Sequence, residues 1–211
     1  MSTISHHVPE PMLVAYAAGS LGYAFELVVA SHVSLCDECR ARLTALETVG
    51  GAVLETSAEA ALSPGLRAGI MDRLDEAPAP VIRYRRMGVY PGPVMAALEG
   101  RAPRWRSLGR GVRQTILHEG DDGSVRLLHI PPEQAVPEHG HGGLELTLVL
   151  QGSFHDETGA FGVGDLEVAD GEVAHMPVAG SGAPCICLAA TDAPLRFKTL
   201  LPRLTQRYFR I

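Results

Sequence analysis

The 211-residue chain is 46% hydrophobic and 20% charged, which is long enough for two compact domains and apolar enough to give each a core. Its longest apolar runs, such as 26–34 and 144–150, fall far short of the roughly 20 residues that cross a bilayer. No basic-then-apolar leader opens the chain, so a cytoplasmic protein with no membrane partner is expected. The four cysteines come as two close pairs, Cys36/Cys39 and Cys185/Cys187, a pattern that suits a reducing compartment better than a disulfide-stapled secreted fold.

In chain order, residues 10–76 read as helical, with frequent Ala and Leu and with Leu43, Leu46, Val49 and Val53 at helical spacing. Gly19 and Gly22 interrupt the first stretch, Leu35 to Glu38 makes a tight connection, and Ser63-Pro64 reads as the N-cap and first residue of a helix from Gly65 to Glu76. About four helices are predicted. Residues 77–80, Ala-Pro-Ala-Pro, then stop helix, and the following segment mixes arginines with Pro91-Gly92-Pro93 in the manner of an interdomain linker. From Trp105 the texture changes to short strand-like runs, 114–117, 125–130 and 144–150, separated by turn residues such as Asp121-Asp122-Gly123. Many short strands at regular spacing predict a sandwich or barrel. The predicted division is therefore a helical domain over 1–80, a basic linker over 81–103 and a β-barrel domain over 104–211.

The first chemical constellation is His32-Val-Ser-Leu-Cys36-Asp-Glu-Cys39, of the form H-x3-C-x2-C. A helix end running into a tight turn aims one imidazole and two thiolates at a common point about 2 to 2.3 Å away, which is zinc geometry. One tetrahedral position remains, and His6 or His7, about 25 residues upstream, can fold back to fill it; spacing alone does not separate them. Such a closed site is structural or redox-responsive rather than hydrolytic. A redox pair or two buried cysteines is the competing reading of C-x2-C alone, and the flanking histidines turn the balance to zinc.

These residues resemble the zinc-binding anti-sigma fold, in which H-x3-C-x2-C sits in a small bundle of about four helices with an N-terminal histidine as fourth ligand. The resemblance assigns that place to His7. It also implies that the helices clasp an extracytoplasmic-function (group IV) sigma factor and hold it away from core RNA polymerase. Leu43, Leu46 and Val49 on one helix and Leu66, Ile70 and Leu74 on the next could supply the apolar faces, though half of them are expected to pack the bundle's own core.

The second constellation is His139-Gly-His141-Gly-Gly-Leu-Glu145, with Gly152 seven residues on and His175 thirty residues beyond the carboxylate. In a strand His139 and His141 share a face, and after the Gly142-Gly143 kink Glu145 can return to the same cavity, with His175 as fourth ligand from a neighbouring strand. The pattern resembles the first cupin motif, and the later stretch resembles the second one imperfectly: Glu133 stands where a glycine is usual, and a proline near Ala169 is missing. A jelly-roll barrel is implied, while the departures argue against an ordinary cupin enzyme pocket. Cys185 and Cys187 would face one side of a strand, too close in sequence to bridge easily, as small buried residues or as a redox pair beside the metal. His118, His129 and His155 lack ligand spacing and are read as bystanders.

A zinc anti-sigma bundle followed by one cupin barrel resembles the ChrR-type anti-sigma factors along nearly the whole chain. The stretch from Val29 to Arg42 is especially close. The resemblance implies sigma-factor sequestration by the first domain and release, when singlet oxygen or organic peroxide is present, through the second, with one zinc per domain. No catalysis is expected. Oxidant damage at the second site or at Cys185/Cys187 would be passed to the bundle, with residues 83–110 as the coupling segment. The competing class is a metal-dependent cupin enzyme, a dioxygenase or isomerase with a zinc-stabilised helical appendage. Direct nucleic-acid binding through the seven arginines of 83–110 is disfavoured, because few aromatics are interleaved with them.

Overall fold

The fold comes from a computed structural model that describes residues 3–77, 82–137, 139–140, 142–170, 175–193 and 196–197, with backbone only at 139, 196 and 197. The helical part opens with α1 (Glu10–Ala17), whose first turn holds Pro11, where a missing N–H leaves no hydrogen bond unmade. Helix α2 (Tyr23–Leu35) and helix α3 (Asp37–Glu55) are separated by Cys36 alone, and the Cys36 side chain accepts from the Cys39 N–H as the N-cap of α3. Helix α4 (Leu66–Arg73) is shorter than the predicted Gly65 to Glu76. Gly65, not Ser63, is its N-cap, in a left-handed conformation (φ 84°) that a residue without a Cβ adopts without strain. No residue of α4 is buried, so among the described residues no core supports this short helix against fraying.

The segment read as a linker carries helix α5 (Gly92–Ala97). Its Pro-Gly-Pro sequence, which reads as a helix breaker, supplies the N-cap and first turn instead, and Val94 and Met95 are buried with α5 against α2. The strands follow: β1 (Arg106–Gly109), β2 (Val112–Gly120), β3 (Gly123–Ile130), β4 (His139–Gly140), β5 (Glu145–Gln151), β6 (Phe154–His155), β7 (Ala160–Phe161), β8 (Leu166–Ala169), β9 (Val178–Ala179), β10 (Cys185–Thr191) and β11 (Arg196–Phe197). A six-stranded sheet of order β1-β2-β3-β10-β5-β8 is accompanied by a three-stranded sheet β7-β6-β9 and a β11-β4 pair. This is the expected helical bundle followed by a cupin-like β-sandwich.

Period-two alternation divides the large sheet into two chemistries. On one face Leu188 of β10 lies opposite Leu127 of β3 and Leu148 of β5, all fully buried, and these pack in one continuous core with α2. On the other face Cys185, Cys187, Val149 and Ile130 close on Phe154, Phe161 and Ala179 of the small sheet, which forms the barrel interior. Helix α2 therefore has the sheet on one side and α1, α3 and α5 on others. It buries Ala24, Phe25, Leu27, Val28, Val29, Ser31, His32 and Val33, nearly its whole circumference.

The sheet also caps this helix. In the β2–β3 turn, Asp122 accepts the Tyr23 N–H (2.8 Å), satisfying one of the orphan donors at the start of α2. A hydrogen bond from His118 to Asp122 (2.9 Å) holds that carboxyl below its usual range. The turn closes tightly: a Cβ at Gly123 (φ 114°) would lie 2.4 Å from the Thr191 carbonyl oxygen. Among the described residues no helix is long and apolar enough to cross a membrane. Because Leu148 sits in the seam between sheet and α2, Leu148→Ala is expected to cost about 2–5 kcal/mol. Urea unfolding followed through both helical and strand signals should show the two falling together, not the strands alone.

Candidate metal centres

At the junction of α2 and α3 the chain brings four soft and borderline ligands together. Ligand atoms of His7, His32, Cys36 and Cys39 all lie within 4.8 Å of one another. His32 Nε2 is 3.3 Å from Cys39 Sγ, and His7 Nδ1 is 3.3 Å from Cys36 Sγ and 3.6 Å from Cys39 Sγ. The edges of a tetrahedron with metal bonds of 2.0–2.3 Å are about 3.3–3.8 Å long. The donor set is thus spaced as zinc would require.

The surroundings fit the same reading. His32 is fully buried, and burial, then the neighbouring His7, push its pKa down to about 4, so the ring is neutral and able to donate a lone pair. Burial raises the Cys39 thiol to about 11, a cost that a dication reverses by binding the thiolate. His7 turns its other nitrogen, Nε2, to Glu38 Oε2 at 3.2 Å, the outer-shell carboxylate that commonly orients a metal-bound imidazole.

The choice that spacing left open is made by geometry. His6 points away from the cysteines: its ring lies 4.5 Å from that of Phe161, and its Nδ1 is 3.4 Å from Asp165 Oδ1. His7, one residue on, faces the cluster.

In the barrel, Glu145 opens β5 and is buried, with Oε1 accepting from Thr147 Oγ1 at 3.1 Å. His175 is 1% exposed. The side chains of His139 and His141 lie outside the described residues. Two groups absent from the sequence reading surround His175: Nδ1 is 2.7 Å from Asp156 Oδ2 and 3.3 Å from Glu167 Oε1. The three form a second cluster of possible metal-binding groups. Burial opposes a charge on His175, but hydrogen bonds and charge from Glu167, then Asp156, with Glu145 adding to them, lift its pKa to about 9. Asp156 is held down to about 2 against its own burial by bonds from Glu167, Thr158 and His175, while burial raises Glu167.

Asp156 is hard to find from sequence because Asp156-Glu-Thr-Gly159 reads as a turn. It is one, with Oδ1 accepting from the Thr158 N–H (2.8 Å) and hydroxyl (2.7 Å). The signal for Glu167 is an acid on the inward phase of the buried strand β8.

Cys185 and Cys187 share the barrel face of β10, as alternation predicts, and both are buried thiols. A hydrogen bond with Cys185, burial and the charges of Glu145 and Glu167 raise the Cys187 thiol well above its ordinary value, so it is held protonated beside the barrel acids. Of the apolar residues singled out on the helices, Leu43 is core and Leu46 is packed against it. Val49 (61%), Leu66 (42%), Ile70 (54%) and Leu74 (66%) are exposed.

Replacing Cys39 by Ala removes the ligand that touches both histidines. It is expected to lower the metal content of the purified chain by one equivalent per molecule, read by elemental analysis, and to leave the barrel's share in place.

Comparison with known proteins gives three findings. Residues 95–193 match the family described as the ChrR cupin-like domain. The chain is 57% identical over 215 aligned residues to the anti-sigma-E factor ChrR of Cereibacter sphaeroides, covering 99% of this chain and all of that protein. Its fold is similar to a chain in the crystal structure of Rhodobacter sphaeroides SigE in complex with the anti-sigma ChrR, with a TM-score of 0.81, 55% identity, and coverage of 90% of this chain and 100% of the other.

Proposed function

The chain belongs to the ChrR family of anti-sigma factors, and from that premise we propose that it inhibits an extracytoplasmic-function (group IV) sigma factor inside the cell. The observation that carries this reading is the near full-length likeness to an anti-sigma factor at 57% identity, in a fold similar to a chain from a sigma–anti-sigma complex. The surface agrees with it. Val49, Val53 and Leu54 on the second half of α3, with Leu66, Ile70, Met71 and Leu74 around α4, leave a run of large apolar side chains exposed. Large apolar side chains left exposed on helices mark candidate protein-binding faces, and amphipathic helices use such faces to grip a partner.

We infer zinc at His7, His32, Cys36 and Cys39, because the donor spacing and the two thiols suit it over harder cations. All four positions of a tetrahedron are taken by protein atoms, so this metal would organise the α2–α3 corner rather than activate a substrate. In the barrel we assign a second zinc to His139, His141, Glu145 and His175. Asp156 would hold His175 through Nδ1 and so present Nε2 to the metal. Release of the sigma factor by an oxidant such as singlet oxygen is assigned to the barrel domain, where Cys185 and Cys187 lie close to the acids that surround His175. The likeness to an anti-sigma factor along the whole chain favours this regulator over a cupin enzyme.

The direct test is co-purification: the tagged chain is expected to carry a small sigma factor in near one-to-one ratio, and recovery always free of sigma would contradict the proposal. Val49→Asp with Ile70→Asp places charges on the exposed face, so sigma affinity should fall at least about tenfold, or about 1.4 kcal/mol, with little change in melting temperature. Glu145→Ala or His175→Ala should leave sigma inhibition intact and abolish the transcriptional response to singlet oxygen. Loss of inhibition itself in a folded Glu145→Ala chain would contradict the division of labour.

A further inference from the structure

The helical metal cluster is held on one side by the barrel. Residues 4–8, the strap that carries His7, run along the turn between β7 and β8. Asp165 in that turn accepts the Ser5 N–H at 2.7 Å and the His6 N–H at 2.9 Å through one carboxylate oxygen, and the Gly162 N–H at 2.8 Å through the other. The strap returns a bond, with the His6 carbonyl accepting the Leu166 N–H at 3.1 Å. Ile4 fills the space over Gly164, where a Cβ would lie 2.5 Å from its Cδ1. Asp165 is 5% exposed, and these N–H donors hold its carboxyl below the usual range in spite of its burial.

The same turn reaches the second imidazole. His32 Nε2 faces Cys39, its buried Nδ1 has no hydrogen-bond partner among the described residues, and the Gly164 backbone lies near the ring. Both histidines of the cluster are therefore backed by Gly162–Asp165, a piece of the barrel some 130 to 160 residues away in sequence. Two residues after Asp165, β8 delivers Glu167 to His175.

We propose that the β7–β8 turn is the outer shell of the helical zinc site, with Asp165 as the positioning residue for His7 through the strap that carries it. The proposal rests on reading the helical cluster as a zinc site. Its consequence is a route between the domains that runs through the N-terminal strap.

The test uses the full-length zinc-loaded chain. Asp165→Ala should speed transfer of the helical zinc to a competing chelator, in keeping with the roughly 10–100-fold loss of metal affinity usual when an outer-shell partner is removed. Amide exchange over residues 4–8 should rise in parallel. Ser5→Pro removes one donor from the strap side and leaves the barrel intact, so it should shift both readings the same way and serves if Asp165→Ala does not fold. Folded variants whose zinc transfer and exchange match the unsubstituted chain would overturn the proposal. An unsubstituted chain that binds no zinc through Cys36 and Cys39 would instead overturn the metal reading beneath it.

Discussion

Helix α2 is apolar around nearly its whole circumference, and that single constraint arranges the rest of the molecule. A helix with Val28, Val29 and Val33 beside Ala24, Phe25 and Leu27 cannot present any broad face to water. The bundle covers part of it, and the large sheet covers the rest through Leu127, Leu148 and Leu188. One core therefore runs through both the helical and the β parts. Asp122 secures one end of α2 and the β7–β8 turn backs the other, where His32 enters the metal cluster. A regulator built this way has no need of a long-range wire between its domains, since the metal cluster already touches the barrel.

The two candidate metal centres differ in a manner that follows from their donors. At the helical corner two thiols and two imidazoles are spaced for a tetrahedron, and burial keeps His32 and Cys39 neutral without a metal, so metal binding there would be coupled to ordering of the corner. In the barrel, carboxylates predominate around His175, and their mutual bonds fix the ring orientation. Cys187 sits against that acidic group as a protonated thiol, which makes it a slow nucleophile until its surroundings change. A site that stays closed beside one that shares its cavity with thiols suits a division between holding a partner and sensing a condition.

Much of this was legible because the decisive signals are local. H-x3-C-x2-C fits a helix, a one-residue break and the next helix, and the two-residue step from Cys185 to Cys187 places both thiols on one face of a strand. Contacts made by distant parts of the chain were not legible. His6 and His7 are equivalent in spacing, and the choice depends on Asp165 pairing with the strap from 159 residues away. Asp156 and Glu167 come from a turn and a strand that the fold brings together around His175. Pro91-Gly92-Pro93 reads as a break, yet becomes a helix start because Val94 and Met95 find a surface on α2. Ser63-Pro64 has the form of a helix start, yet α4 begins only at Leu66.

The chain is proposed to withhold a sigma factor from RNA polymerase through a metal-ordered bundle seated on a barrel. Run-off transcription by core polymerase and the cognate extracytoplasmic-function sigma factor, titrated with the purified full-length chain, tests it most directly. Inhibition should saturate near one chain per sigma factor and be lost when a chelator strips the metal. Undiminished transcription at a several-fold excess of metal-loaded chain would contradict it.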